Sequence, residues 1–312
     1  MTVSWLAIIN PAAGNGAVRK WETLRQELDR LHIEYKYCIS RYAGHICEIA
    51  RSARKEGQKH FISVGGDGTH HELINGLLSV SAAGKIPVIA LANAGTGNDW
   101  SRTHRISSNM KECASMIQAQ HTIIHSAGKI SFTRNGKELD EYFMNVAGMA
   151  LDGRVVERFP AAMRNNRFLP GYLIAGLRQL FVYRAPHLWV ELPDTSFDNQ
   201  FITLHAGICR YSGGGMQFVP HAKFSAETLA ITCIQRMSTL RLLANIYRLY
   251  LGNILDHPKA KGLSSPWLKV SSRSGEPVPI EADGEFLGYT PVQIEIVPAA
   301  FRLVVPKLVY DT

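Results

Sequence analysis

His60-Phe61-Ile62-Ser63-Val64-Gly65-Gly66-Asp67-Gly68-Thr69-His70-His71-Glu72-Leu73-Ile74-Asn75-Gly76-Leu77-Leu78 is the stretch that decides the fold. Its first five residues have the β-branched and aromatic character of a strand, and helical spacing begins at about His71 and runs to Leu78. Between them lies Gly65-Gly66-Asp67-Gly68-Thr69, where unhindered backbone amides and a helix N-terminus face one point. Such a point suits phosphate. The carboxylate of Asp67 would repel phosphate unless a cation lay between them, and Mg²⁺, which favours carboxylate plus phosphate oxygens, fits that role. The alternative is a tight strand-to-helix turn with Asp67 as its cap. The loop has no lysine before Thr69, so it is not GxxxxGK[ST], and it is not GxGxxG.

Working outward, strands are expected over 5–10, 35–40 and 87–91, and helices over 17–31 and 44–56; Trp21, Leu24, Leu28 and Leu31 recur at helical spacing. Strands alternating with helices predict a parallel sheet covered by helices. Such sheets bind ligands beyond the carboxyl ends of their strands, and the glycine-rich loops 10–16, 65–69 and 95–99 all fall there. From about residue 122 the texture changes. Segments 129–134 and 137–145 flank Asn135-Gly136, a two-residue hairpin signal, and further strands are expected over 187–192, 201–208, 229–234, 267–271 and 292–297. Helices are expected over 169–183 and 237–255. The expectation is an α/β N-terminal domain with a parallel sheet and flanking helices over 1–121, then a mainly antiparallel domain over 122–312 whose last strand is free to return to the first.

The 312 residues are 46% hydrophobic, enough for two ordinary cores and incompatible with general disorder. The 34 Lys plus Arg against 26 Asp plus Glu give a net charge of +8, which attracts phosphates, anionic membranes or nucleic acid without choosing among them. No helix-turn-helix, zinc or aromatic-sheet signature supports nucleic acid. Five widely spaced cysteines without a CxxC pair point to reduced thiols in the cytoplasm. The N-terminus runs straight into a strand with no leader pattern, and the apolar stretch 172–183 is interrupted by Arg178 and is short of the roughly 20 residues a span needs. Any membrane contact is expected to be peripheral, at the inner face; a homodimer stays open.

Asn10-Pro11-Ala12-Ala13-Gly14, the GGDGT run with Glu72, Asn75 and Gly76 after it, Gly95-Thr96-Gly97-Asn98-Asp99, Gly213-Gly214-Gly215-Met216 and Asp283-Gly284-Glu285 follow one another along the chain. This series resembles the catalytic domain of the diacylglycerol kinase family, which includes bacterial lipid kinases and sphingosine and ceramide kinases. GGDGT also occurs in NAD kinases, but GGDGT with its followers, the 95–99 piece and Asp283-Gly284-Glu285 together point to the lipid branch. The resemblance implies a two-domain kinase with a β-sandwich second domain, ATP and Mg²⁺ as cofactors, and a lipid substrate, diacylglycerol or a sphingoid base. It implies that Asn10, Pro11 and Gly14 with Gly65, Gly66, Gly68 and Thr69 hold phosphates, that Asp67 acts through Mg²⁺, and that Ser40, Glu72, Gly95, Thr96, Asn98 and Asp99 belong to the nucleotide site. Asp283 matches the family's general base. Glu285, two residues on in a strand-like segment, would share its face and assist it; the other reading of Asp283-Gly284 is a plain hairpin turn.

Four positions depart from the family pattern. Asn93 stands for a proline, Ala150 for a glycine, Ser126 for an acid, and Ala226-Glu227 for an Asp-Gly pair. The last two remove carboxylates that in bacterial diacylglycerol kinases support Mg²⁺, including a structural metal, so one metal, through Asp67, is expected. His70 and His71 open the helix beside the expected phosphates, either as donors or as exposed polar residues without function. Gly213-Gly214-Gly215 either admits a ligand or bends a strand. Arg236, Arg241 and Arg248 punctuate an apolar helical pattern, Leu240, Leu243, Ile246, Tyr247 and Leu251, that rests either on anionic lipid or on a core. An NAD-kinase-like enzyme and a catalytically silent nucleotide- or lipid-binding protein are the competing functions.

Overall fold

The computed structural model describes residues 3–14, 16–80, 86–95, 97–158 and 183–307. The chain forms two compact units, one of Met1–Ala127 with Pro298–Thr312 and one of Gly128–Val297. The expected helix over 169–183 lies outside the described residues except for Tyr183, and so does Thr96.

The first unit alternates β1 (Trp5–Ile9), α1 (Ala17–Arg30), β2 (Tyr35–Ile39), α2 (His45–Lys55), β3 (His60–Gly65), α3 (Asp67–Leu78) and β4 (Val88–Asn93), then α4 (Asp99–Thr103) and α5 (Met110–Ala119). β4, β3, β1 and β2 pair in parallel in that order. The inner strands read as continuous apolar runs, since β4 and all of β3 but His60 are buried, whereas the edge strand β2 is largely exposed. In α1, Trp21, Leu24 and Leu28 recur on one face and are buried against the sheet.

The second unit holds most of β5 (Thr122–Arg134), then β6 (Lys137–Phe143), β7 (Val146–Ala150), α6 (Leu151–Arg158), β8 (His187–Leu192), β9 (Thr195–Gly207), the short β10 (Tyr211–Ser212) and β11 (Met216–Gln217), β12 (Leu229–Gln235), α7 (Thr239–Asn245), α8 (Tyr247–Leu251), β13 (Ala260–Ser265), β14 (Trp267–Ser272), β15 (Pro279–Ala282) and most of β16 (Glu285–Val304). Its ladders are antiparallel. β9 is long enough to pair with β8 through its first half and with β7 through its second, and β16 likewise serves β15 and then β14, which returns to β8. β7 joins β15, so the pairing closes into two layers around one apolar core that includes Phe132, Phe143, Leu204, Ile231 and Ile294. The expected Asn135-Gly136 hairpin is present: both residues have positive φ and Arg134 faces Lys137.

β16 ends in the first unit, where Arg302 and Leu303 pair in parallel with Val88 and Ile89 of β4. The single helix expected over 237–255 is instead α7, α8 and a 3-10 turn at Ile254–Asp256, because Gly252 takes a left-handed φ of 73° and ends α8. All five cysteines are free thiols. Among the described residues no helix is long and apolar enough to cross a membrane.

Candidate active site

The GGDGT segment is tighter than a loop. Gly65 is the last residue of β3, Gly66 alone makes the link, and α3 begins at Asp67, four residues before the expected His71. The first bond of the helix ladder is His70 N to Gly66 O at 3.0 Å, so the amides of Gly68 and Thr69 precede the ladder at the carboxyl edge of the sheet. Asp67 is not the cap. Gly66 occupies the cap position, and the Asp67 carboxylate instead accepts the backbone amide of Asp99 at 3.1 Å.

Neighbouring loops close on this link. A methyl group on Gly66 would stand 2.9 Å from the Cα of Gly95, one on Gly95 would stand 2.6 Å from the Cα of Gly66, and one on Gly97 would stand 2.9 Å from Oδ2 of Asp67. The amides of Ala94 and Gly95 both donate to the carbonyl of Gly65, at 2.6 and 3.2 Å. From the loop after β1, Asn10 Nδ2 donates to Thr69 Oγ1 at 3.0 Å while its Oδ1 accepts from Ala12 N, and a methyl on Gly14 would stand 2.6 Å from Ala94 O. The three glycine-rich loops are thus one packed backbone surface around the Asp67 carboxylate. Ser40, after β2, is buried, its amide on Ile9 O at 2.8 Å. Asn98 starts α4 with a left-handed φ of 51° and donates to Gly95 O at 2.9 Å, and the buried Asp99 lies 3.6 Å from the Arg102 guanidinium. Glu72 is turned toward α2, where it accepts Gly44 N at 3.1 Å.

Of the two readings of His70 and His71, phosphate donors or exposed polar residues, exposure is corrected by the early helix start, which turns both inward. His70 bonds Ser63 Oγ through Nδ1 at 2.7 Å and packs edge-on to Trp100; burial pushes its pKa down to about 4, leaving a neutral ring. His71 is buried beside Asn75.

In the second unit, Asp283 and Gly284, with φ of 51° and 85°, are the two-residue turn between β15 and β16, and Ala282 pairs with Glu285 across it. The Asp283 carboxylate accepts the amides of Met144, Asn145 and Val146 at 3.0, 2.9 and 3.3 Å, which fixes its orientation. Because Asp283 is left-handed and not extended, the alternation that would put Glu285 on its face does not apply. The acid that supports the turn is Glu281, a buried residue whose Oε2 accepts Gly284 N at 2.8 Å. Gly213, Gly214 and Gly215 all have positive φ and turn the chain between β10 and β11.

Residues 4–130 match the model of the diacylglycerol kinase catalytic domain, and residues 146–305 match that of the YegS C-terminal NAD kinase beta sandwich-like domain. The chain belongs to the diacylglycerol kinase family. It is 26% identical to YtlR of Bacillus subtilis, a protein provisionally named a lipid kinase, over 96% of this chain and 98% of that one. A Bacillus anthracis structure provisionally described as a diacylglycerol kinase superposes with a TM-score of 0.78 at 21% identity over 98% of each chain. The yeast NADH kinase complexed with NADH shares the fold more distantly, with a TM-score of 0.56 at 10% identity over 98% of this chain and 84% of that one. As a member of this family of lipid kinases, the protein is an ATP-using enzyme.

The departures from the diacylglycerol kinase pattern acquire physical meaning here. Asn93, in place of proline, is a buried hub: it accepts Ser101 Oγ at 2.6 Å and donates to Ile106 O at 3.3 Å, and its carbonyl accepts Lys20 Nζ at 2.7 Å. Lys20 brings a cation to the end of β4, which no local motif announced. Ala150 has a left-handed φ of 70°, a conformation that glycine adopts without the strain of a side chain. Ser126 is buried, and Glu227 is exposed ahead of β12. One buried cluster was also missed: Asp152 bonds His205 Nε2 at 2.7 Å and Thr203 Oγ1, and the His205 ring stacks on Phe218 at 4.2 Å. Burial pushes the Asp152 carboxyl up, but His205 and Thr203 outweigh it and hold it below the ordinary carboxylate range. Its members come from two elements, 152 from α6 and both 203 and 205 from β9, so only the fold brings them together.

Proposed function

We propose that this chain transfers the γ-phosphoryl group of ATP to a hydroxyl of a lipid, with diacylglycerol or a sphingoid base as acceptor. The observation that carries the reading is the packed glycine surface around Asp67, where the loops approach so closely at the carboxyl edge of the sheet that a side chain would collide. Helix amides at the start of α3 suit phosphate oxygens. The all-oxygen donor and the cradle suit Mg²⁺, which Asp67 would hold; when bound, the ion neutralises charge on the phosphates. Phosphoryl transfer otherwise asks for positioning and for a group that takes the hydroxyl proton. Asp283 is the proposed base. Three backbone amides orient its carboxylate, and a carboxylate aligned on a hydroxyl can take its proton as the phosphoryl group departs.

Purified protein with labelled ATP and Mg²⁺ is expected to label a lipid in an extracted pool. Asp283→Asn is expected to lower transfer by about 10²-fold or more while nucleotide still binds. Because the yeast NADH kinase shares the fold, NAD is offered in parallel: label reaching NAD and no lipid contradicts the proposal. ATP bound without transfer to any acceptor would favour a silent binding protein.

A further inference from the structure

α8 is apolar on both sides, and α7 extends its outer side. Inward, Leu249 joins Phe218, Ile234 and Ile254 in a buried cluster backed by Met216, Met237 and Leu255. Outward, Leu240 is 73% exposed, Leu251 68%, Tyr250 55% and Tyr247 51%. Leu240, Ala244, Tyr247 and Leu251 follow one another at helical spacing and all are exposed, so they make a stripe and not scattered surface residues. A helix that needs only one apolar face for its own core has been given two.

The charge around the stripe has one sign. From Gln235 to Leu255 the chain carries Arg236, Arg241 and Arg248 and no Asp or Glu, and Lys259 and Lys261 follow Asp256. Arg248 lies over the Tyr247 ring at 5.5 Å, and Arg236 reaches Gln200 Oε1 at 3.0 Å, so these cations border the apolar face and are not drawn into acidic partners. A second copy docking through this stripe would set arginine against arginine.

We infer that this face lies on an anionic lipid bilayer, with α7 and α8 in the plane of the interface. Leu240 and Leu251 enter the acyl boundary, Tyr247 and Tyr250 sit at headgroup level, and the arginines meet lipid phosphates. The inference rests on the lipid-kinase reading for its purpose, since it would bring the enzyme to the surface that holds its substrate, but its test does not use catalysis.

Vesicles of phosphatidylcholine alone, and of phosphatidylcholine mixed with phosphatidylglycerol, are sedimented with the full chain. The wild type is expected to follow the anionic vesicles, less so as salt rises. The double variant Leu240→Glu/Leu251→Glu is expected to partition about ten-fold or more less with an unchanged far-ultraviolet circular dichroism spectrum, and Arg236→Gln/Arg241→Gln to lose the preference for phosphatidylglycerol. Wild type that ignores both vesicles, or a glutamate variant that partitions like wild type, overturns the inference. So does sedimentation velocity showing a dimer that the glutamates split while vesicle binding is unchanged, which assigns the stripe to a second copy. Transfer to a detergent-dispersed lipid, measured on the same samples, separates the two readings: vesicle binding without transfer to any lipid counts against the proposed activity alone, and transfer without vesicle binding counts against the docking face alone.

Discussion

Gly65-Gly66 and Gly213-Gly214-Gly215 look alike in the sequence and are glycine for different reasons. In the first unit the glycines are required by proximity: Gly66 and Gly95 meet Cα against Cα, and Gly66 itself has an extended backbone with φ of −113°. In the second unit the requirement is handedness. Gly214 has φ of 87° and open space where a methyl would go. A packed cradle of the first kind joins loops at the carboxyl edge of the sheet, whereas a left-handed run of the second kind turns a hairpin.

That contrast can be broken at either end. The largest effect is expected at the acid the cradle surrounds: Asp67→Asn should lower transfer on the order of 10³-fold with the fold intact, measured by labelled-phosphate transfer and thermal melting. Gly66→Ala should follow at about 10²-fold, because the loops would have to part by several tenths of an ångström at the phosphate edge. Gly214→Ala should leave transfer within about two-fold and cost about 1 kcal/mol of stability, the strain of a left-handed alanine. Equal losses of transfer in the last two variants would dissolve the distinction.

Ala150 gives the smallest and opposite effect. It already pays left-handed strain at φ of 70°, so Ala150→Gly should raise the stability measured by urea unfolding by about 0.5–1 kcal/mol.

The floor of the cradle is also testable by pH. His70 sits under it with a pKa of about 4 against an ordinary 6.5, so the unfolded chain binds the proton first as pH falls. Its contribution is complete above about pH 6.5 and is lost progressively toward pH 4, by about 3 kcal/mol in all. His104, buried against His125 and also held low, adds with the same sign. Urea unfolding of wild type and His70→Asn across this window should show a shallower acid slope in the variant; identical slopes would remove His70 from the account.

Much of the first unit was legible because short β-rich runs alternate with amphipathic helices: β1, β2, β3 and α1 lie where that alternation put them. The start of α3 was not legible, since a helix can begin inside a glycine run when Gly66 alone makes the link, and that shift is what buries His70 and His71. In the second unit Asp283-Gly284 carried both readings at once. The structure makes it a hairpin turn whose carboxylate is held by residues more than a hundred positions away, so its orientation could not be read locally. Lys20 on Asn93 and Asp152 on His205 are likewise products of packing between distant segments, with no motif to announce them.

Calorimetric titration of ATP with Mg²⁺ into wild type, Gly66→Ala and Gly214→Ala tests the cradle most directly. The account predicts binding in wild type and Gly214→Ala and a loss of about 10²-fold in a folded Gly66→Ala protein. A folded Gly66→Ala protein that binds the nucleotide as tightly as wild type would contradict it.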